Sequence, residues 1–205
     1  NHIWAKKKII SELNRSQYLL RPANYPNMVP GHGSCIYNLY QNMSIGVLNL
    51  LGRSFLYPIE CPFRVAEETL THFRERDVRI IIVDFHAEAT AEKQAFARYF
   101  DGQVSAVLGT HTHVQTADEK ILPGGTAYIT DVGMTGPADS VIGMDTESAI
   151  KRFRTQTPVY YKVAKNDIML NGAVVSVDIK TGKALSIIRI QRDEDDMEIQ
   201  HGSYN

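Results

Sequence analysis

The sequence predicts a layered α/β sandwich, with two sheets face to face and helices outside them. Three observations carry that prediction. Ile80-Ile81-Ile82-Val83 is a continuous β-branched run, the pattern of a strand buried on both faces. Helical apolar stripes and short apolar runs follow one another through the middle of the chain. Alternating patterns at both ends suit antiparallel hairpins, which a simple doubly wound sheet would not carry.

Each element has its own signal. Ile3, Ile10 and Leu13 recur at helical spacing among lysines, so a first helix runs to about Asn14. Arg21-Pro22-Ala23-Asn24-Tyr25-Pro26 and Pro30-Gly31-His32-Gly33 are turn and loop signals. Residues 36–40 and 45–51 pair as strands around Gln41-Asn42-Met43. Phe63, Ala66, Leu70 and Phe73 form the apolar stripe of a second helix, which starts after Pro62. A central strand runs from Val78 and ends on Asp84-Phe85-His86. Thr90 caps a third helix through Phe100, closed by Asp101-Gly102. Strands over 104–108 and 127–131 follow, and Asp145 caps a helix to about Arg154. Val175, Val177 and Ile179 share one face of a strand, Thr181-Gly182 turns, and residues 185–190 return. Residues 1–192 make one domain, and the acidic stretch 193–205 is a frayed tail.

Bulk properties exclude several classes. The chain has 205 residues, 43% hydrophobic and 22% charged, which suits one well-buried globular domain. A net charge of −1 gives no reason to expect nucleic acid or an anionic membrane as partner. No apolar run is long enough to span a bilayer, and no signal peptide opens the chain, so a cytoplasmic protein is expected. Cys35 and Cys61 read as two buried thiols in a reducing compartment. The opening Asn1-His2-Ile3-Trp4 has neither Met nor a leading strand, and we expect an N-terminal portion to precede it.

Polar clusters stand where strands end: Asp84-Phe85-His86-Ala87-Glu88, Gly109-Thr110-His111-Thr112-His113 and Asp131-Val132-Gly133-Met134-Thr135-Gly136. Imidazole is a versatile neutral metal ligand, and oxygen donors complete a site for Mn, Fe or Zn. His-x-His alone is a weak signal. His86 on a neighbouring strand strengthens it, and Gly109 clears backbone space beside it. His32, His72 and His201 read as structural or solvated side chains. Asp84 and Asp131 can each cap a turn, orient a histidine or bind metal directly. There is no G-x-S-x-G elbow, P-loop or G-x-G-x-x-G.

Longer runs add a resemblance. Leu20-Arg21-Pro22-Ala23-Asn24, Asp84 to Thr90, Gly109-Thr110-His111-Thr112-His113-Val114-Gln115-Thr116-Ala117-Asp118 and Ile129 to Pro137 resemble the bacterial YmdB family of calcineurin-like metallophosphoesterases. The opening Asn1-His2-Ile3-Trp4 matches the second half of that family's Gly-Asn-His-x-Trp motif, with Ala5 where the family usually carries Asp. The similarity covers nearly the whole chain outside the tail.

The resemblance implies a four-layer αββα sandwich, here without its N-terminal strands. It implies two divalent ions (Fe, Mn or Zn) and hydrolysis of 2′,3′- and/or 3′,5′-cyclic nucleotides by a metal-bridging hydroxide. Carried over residue by residue, one ion takes Asn1, His86 and His111, and the other takes His113. An Asp and a bridging Glu of the family would lie before Asn1. His2 becomes the candidate proton donor to the leaving oxygen. Gly133, Met134 and Thr135 are candidates to line the substrate pocket, with a plain structural turn as the competing reading. The partner expected is a small phosphodiester, without a membrane, and a homo-oligomer is permitted. Two alternatives stay open: a regulatory or binding protein on this scaffold, and a phosphomonoesterase or 5′-nucleotidase.

Overall fold

A computed structural model of the protein describes residues 3–5, 7–39 and 43–194. Its first strands, β1 (Ser34–Asn38) and β2 (Ser44–Leu51), pair antiparallel, as the flanking turn signal predicts. The β-branched run becomes β3 (Ile80–His86), set parallel between β2 and β4 (Ala106–Thr110). Adding β5 (Lys120–Ile121) and β6 (Ala127–Ile129) gives a six-stranded sheet in the order β1-β2-β3-β4-β6-β5. The inner strands β2, β3, β4 and β6 run parallel, so their C-terminal ends share one edge.

Helices and a second sheet cover the two faces. On one face, α2 (Pro62–Arg74) brings Ala66, Leu70 and Phe73, and α3 (Thr90–Tyr99) brings Phe96 and Ala97. They meet Leu48, Leu50, Ile81, Val83 and Phe85, the alternate residues of β2 and β3 that strand periodicity turns to that side. Each large side chain fully buried here contributes about 1.5–3 kcal/mol by leaving water. On the other face lies a smaller sheet of β7 (Gly136–Pro137), β8 (Ile168–Val177) and β9 (Ala184–Arg192). Its contact with the large sheet is made of small residues, Ala106 and Ala127 against Ala184, with Ile82, Leu108, Val175 and Ile187 partly buried around them.

Several sequence expectations need correction. The first helix is broken: a 3₁₀ turn covers Ile3–Ala5, and α1 is Ile9–Arg15. Thr90 is the first residue of α3 rather than its cap; the cap position is Ala89, and it makes no side-chain cap bond. Ile179 lies beyond the end of β8 and is exposed. Cys35 and Cys61 are free, but half-buried rather than buried. Other expectations hold. Asp145 accepts from the Ser148 amide at the start of α4 (Thr146–Thr155), and Gly182 turns the chain between β8 and β9 at φ +74°. Residues 195–205, most of the acidic tail, lie outside the described part.

Candidate metal-binding edge

The site begins with strand register. On β2, β3 and β4 the residues turned away from the helices include Asn49, Asp84, His86 and Thr110. Parallel pairing sets Asn49 beside Asp84, and Thr110 beside His86. A continuous polar chain results. Asn49 Nδ2 donates to Asp84 Oδ2 at 2.6 Å, Thr110 Oγ1 donates to Asp84 Oδ1 at 2.9 Å, and Thr110 Oγ1 lies 3.1 Å from His86 Nδ1. Burial pushes the Asp84 carboxyl above its ordinary range, against the hydrogen bonds from Thr110 and Asn49, which favour the charged form. The Asn49 Oδ1 atom is buried with no hydrogen-bond partner among the described residues.

His111 stands against this chain. Its Nδ1 is 2.9 Å from His86 Nε2, the rings meet edge to face at 85°, and its Nε2 lies 2.7 Å from Glu88 Oε2. The partners orient both rings. Thr110 donates its hydroxyl hydrogen to Asp84, so it accepts from His86 Nδ1–H. Glu88 accepts from His111 Nε2–H. His86 Nε2 and His111 Nδ1 therefore face each other at hydrogen-bond distance, at one point of the edge that a shared hydrogen or a cation can occupy.

The loop carrying His111 and His113 is held from the opposite side. Asp131 follows β6, and its Oδ2 accepts from the Thr112 amide at 2.8 Å and from Lys93 Nζ at 3.1 Å. Its Oδ1 accepts from the Gly133 amide at 3.0 Å. Lys93 and Asp131 are 0% and 1% exposed, so this is a fully buried ion pair beneath the loop. Backbone shape matters as well. His111 and His113 have φ of +118° and +67°, and a Cβ placed on Gly109 would collide with the Thr130 carbonyl.

The sequence-predicted residues therefore distribute unevenly. His86 and His111 come together. His113 is exposed, and its Nδ1 lies 2.9 Å from the Ile142 carbonyl oxygen. Asn1 and His2 lie outside the described residues. Among the described residues, no group of three or more His, Cys, Asp or Glu side chains is arranged to hold an ion. The Gly133 amide is committed to Asp131, Met134 lines a cavity, and Thr135 Oγ1 makes a long 3.4 Å contact with the Asn171 carbonyl.

Sequence reasoning missed Asn49, Lys93 and the support from Glu88. Register could have pointed to Asn49, a polar residue inside an apolar strand. Lys93 gave no signal, because a lysine on a helix is usually solvated. Leu20 to Asn24 is structural: Asn24 is fully buried and bonds both the amide and the carbonyl of Leu51, fixing the end of β2.

Comparison with known proteins places the chain. Residues 1–190 match the family model described as YmdB-like protein. The chain is 50% identical over 197 residues to the 2′,3′-cyclic-nucleotide 2′-phosphodiesterase of Bacillus subtilis, across 96% of this chain and 74% of that protein. Among solved structures it superposes on a hypothetical protein from Thermus thermophilus with TM-score 0.87 and 38% identity, over 95% of this chain and 74% of that one. It also superposes on a novel phosphatase from Mycoplasma pneumoniae with TM-score 0.86 and 39% identity, over 100% and 74%. The edge built around His86 and His111 therefore belongs to a member of the YmdB-like protein family.

Proposed function

We propose that this chain is the histidine-bearing part of a metal-dependent phosphodiesterase that opens 2′,3′- and/or 3′,5′-cyclic nucleotides. One observation carries the proposal: the imidazole nitrogens His86 Nε2 and His111 Nδ1 converge at 2.9 Å, where an ion can take the place of the hydrogen between them. Donors at that spacing can both reach one ion at the about 2.0–2.1 Å usual for an imidazole ligand. The donor set therefore fits Fe, Mn or Zn, with Asn1 as a third ligand and His113 serving a second ion. The 50% identity to a cyclic-nucleotide phosphodiesterase supports the substrate class. The two facing sheets and the helices α2 and α3 support a four-layer αββα sandwich for the whole protein. No helix among the described residues is long and apolar enough to cross a membrane, and both cysteines are free, which supports action in the cytoplasm.

Two divalent ions, when bound, stabilise charge on the phosphate oxygens and make a water more acidic. The chain's own residues supply orientation and proton handling. The Asn49–Asp84–Thr110 chain orients the His86 ring, and Glu88 orients His111. His2 donates a proton to the departing ribose oxygen, which leaves poorly as an alkoxide.

The test uses the full-length, metal-loaded protein on 2′,3′- and 3′,5′-cyclic nucleotides, an aryl phosphodiester and phosphomonoesters. Metal-dependent cleavage of a cyclic nucleotide is expected. Cleavage of no diester would favour a regulatory or binding protein, and preference for monoesters would favour a phosphomonoesterase. Variants separate the roles. His111→Ala should lose metal and activity together. His2→Ala should keep its metal and lose turnover on the ribose ester by about 10²–10⁴-fold, with a much smaller loss on a nitrophenyl ester. Equal losses on both esters would remove His2 from the role of acid.

A further inference from the structure

A cavity of about 480 Å³ has His113 in its wall, a volume within the range of small-molecule sites. One side comes from the loops after β4 and β6, which bring Met134 and Ile142. The other comes from the second sheet, which brings Met169, Arg189 and Gln191. The two sides are tied together at His113, whose Nδ1 meets the Ile142 carbonyl, and at Asn171, whose Nδ2 donates to the Met134 carbonyl at 2.8 Å.

We propose that this cavity seats the base of the nucleotide, making Met134, Met169, Arg189 and Gln191 determinants of substrate choice. The inference rests on the phosphodiesterase reading above. A phosphate beside His113 leaves ribose and base to be placed, and the adjoining cavity shares that residue. The lining suits a flat heteroaromatic ring. Met134 and Met169 offer polarizable thioethers, which contact ring edges and faces favourably. Arg189 and Gln191 offer polar groups for the ring's edge. Arg189 is steadied by Glu119, whose Oε2 lies 2.8 Å from its Nε. No acidic side chain is among the lining residues, so a nucleotide's phosphate meets no like charge there. An aryl phosphodiester without a nucleoside would leave most of these groups unused.

Two measurements on the full-length protein test this. In the first, adenosine, which carries no phosphate, is added to protein labelled at its methionine methyl carbons. The Met134 and Met169 resonances should shift through ring currents, while Met28, 97% exposed on the surface, should not. Ala138→Trp places an indole into the cavity from an exposed lining position and should abolish the shift. In the second, Ala138→Trp should lower the ratio of kcat/KM for a cyclic nucleotide to that for an aryl diester by roughly tenfold or more. Met169→Ala should lower the same ratio by a smaller factor.

The outcomes are separable. Adenosine shifts at Met134 and Met169 without cyclic-nucleotide hydrolysis would keep the base site and remove the phosphodiesterase reading. Hydrolysis with no methionine shift, or with a ratio unchanged in Ala138→Trp, would overturn the base site and leave the activity standing. Equal shifts at Met28 would also overturn it, by showing that adenosine binds without selection.

Discussion

His86 and His111 touch, yet the molecule holds them by opposite means. His86 ends a strand. Its place follows from the register of β2, β3 and β4, and its ring is fixed by groups that the same register lines up. His111 sits on a loop with φ of +118°, after Gly109, which lets the Thr130 carbonyl approach closely, and is tied down through Thr112 to a buried Lys93–Asp131 pair. The difference teaches that a strand-borne ligand draws its position from a whole sheet, whereas a loop-borne ligand depends on a few contacts of high individual value. Damage to the loop's support should therefore cost more than damage to the strand's.

The largest effect is expected at the buried pair. Lys93→Met leaves the Asp131 carboxylate uncompensated in the interior, and removing one partner of such a pair costs about 3–5 kcal/mol. Urea unfolding measures it. Adding Asp131→Asn should recover a substantial part, because the uncompensated charge disappears. A loss below about 1 kcal/mol in Lys93→Met would mean that the loop does not lean on this pair.

On the strand side the loss should be smaller and of another kind. Thr110→Val keeps the shape of the side chain and removes the hydroxyl between Asp84 and His86. Metal affinity should fall by about 10–100-fold, as is usual when a group that orients a ligand is removed. Stability should change by only about 1 kcal/mol. Metal titration together with urea unfolding separates the two quantities. Unchanged affinity would show that the polar chain does not orient His86.

The smallest effect at neutral pH should come from Tyr128, on β6 in the core beneath the helices. Burial pushes its phenol up to about 12, while its hydroxyl pairs with Thr130 Oγ1 at 2.9 Å. The sign follows from linkage. A folded-state pKa above the unfolded value near 10 means that stability is complete below pH about 10 and falls as pH rises toward 12. Tyr128→Phe keeps the ring and should flatten this alkaline loss. An unchanged alkaline unfolding curve would assign the pH dependence to other groups.

Most of the strands, three of the helices and the pairing of His86 with His111 were legible in the sequence. Periodicity exposes whichever residues fill a core, and polar clusters after apolar runs expose a sheet's working edge. The support beneath the site was far less legible. Lys93 resembles a surface lysine until Asp131, distant in sequence, is folded against it. Thr90 looked like a cap because threonine favours that role, but the cap position falls one residue earlier. The cavity was invisible, because its walls come from separate loops and from the second sheet. Asn1 and His2 lie outside the described residues, so their predicted roles remain proposals.

The left-handed backbone at His111 and His113 carries one more consequence. A residue other than glycine held at positive φ costs on the order of 1 kcal/mol, and glycine would carry no such penalty. Selection for heat resistance alone should therefore drift toward glycine or asparagine at both positions, giving sturdier molecules with no chemistry. The histidines persist only where activity itself is selected, so thermal robustness and turnover pull this loop in opposite directions.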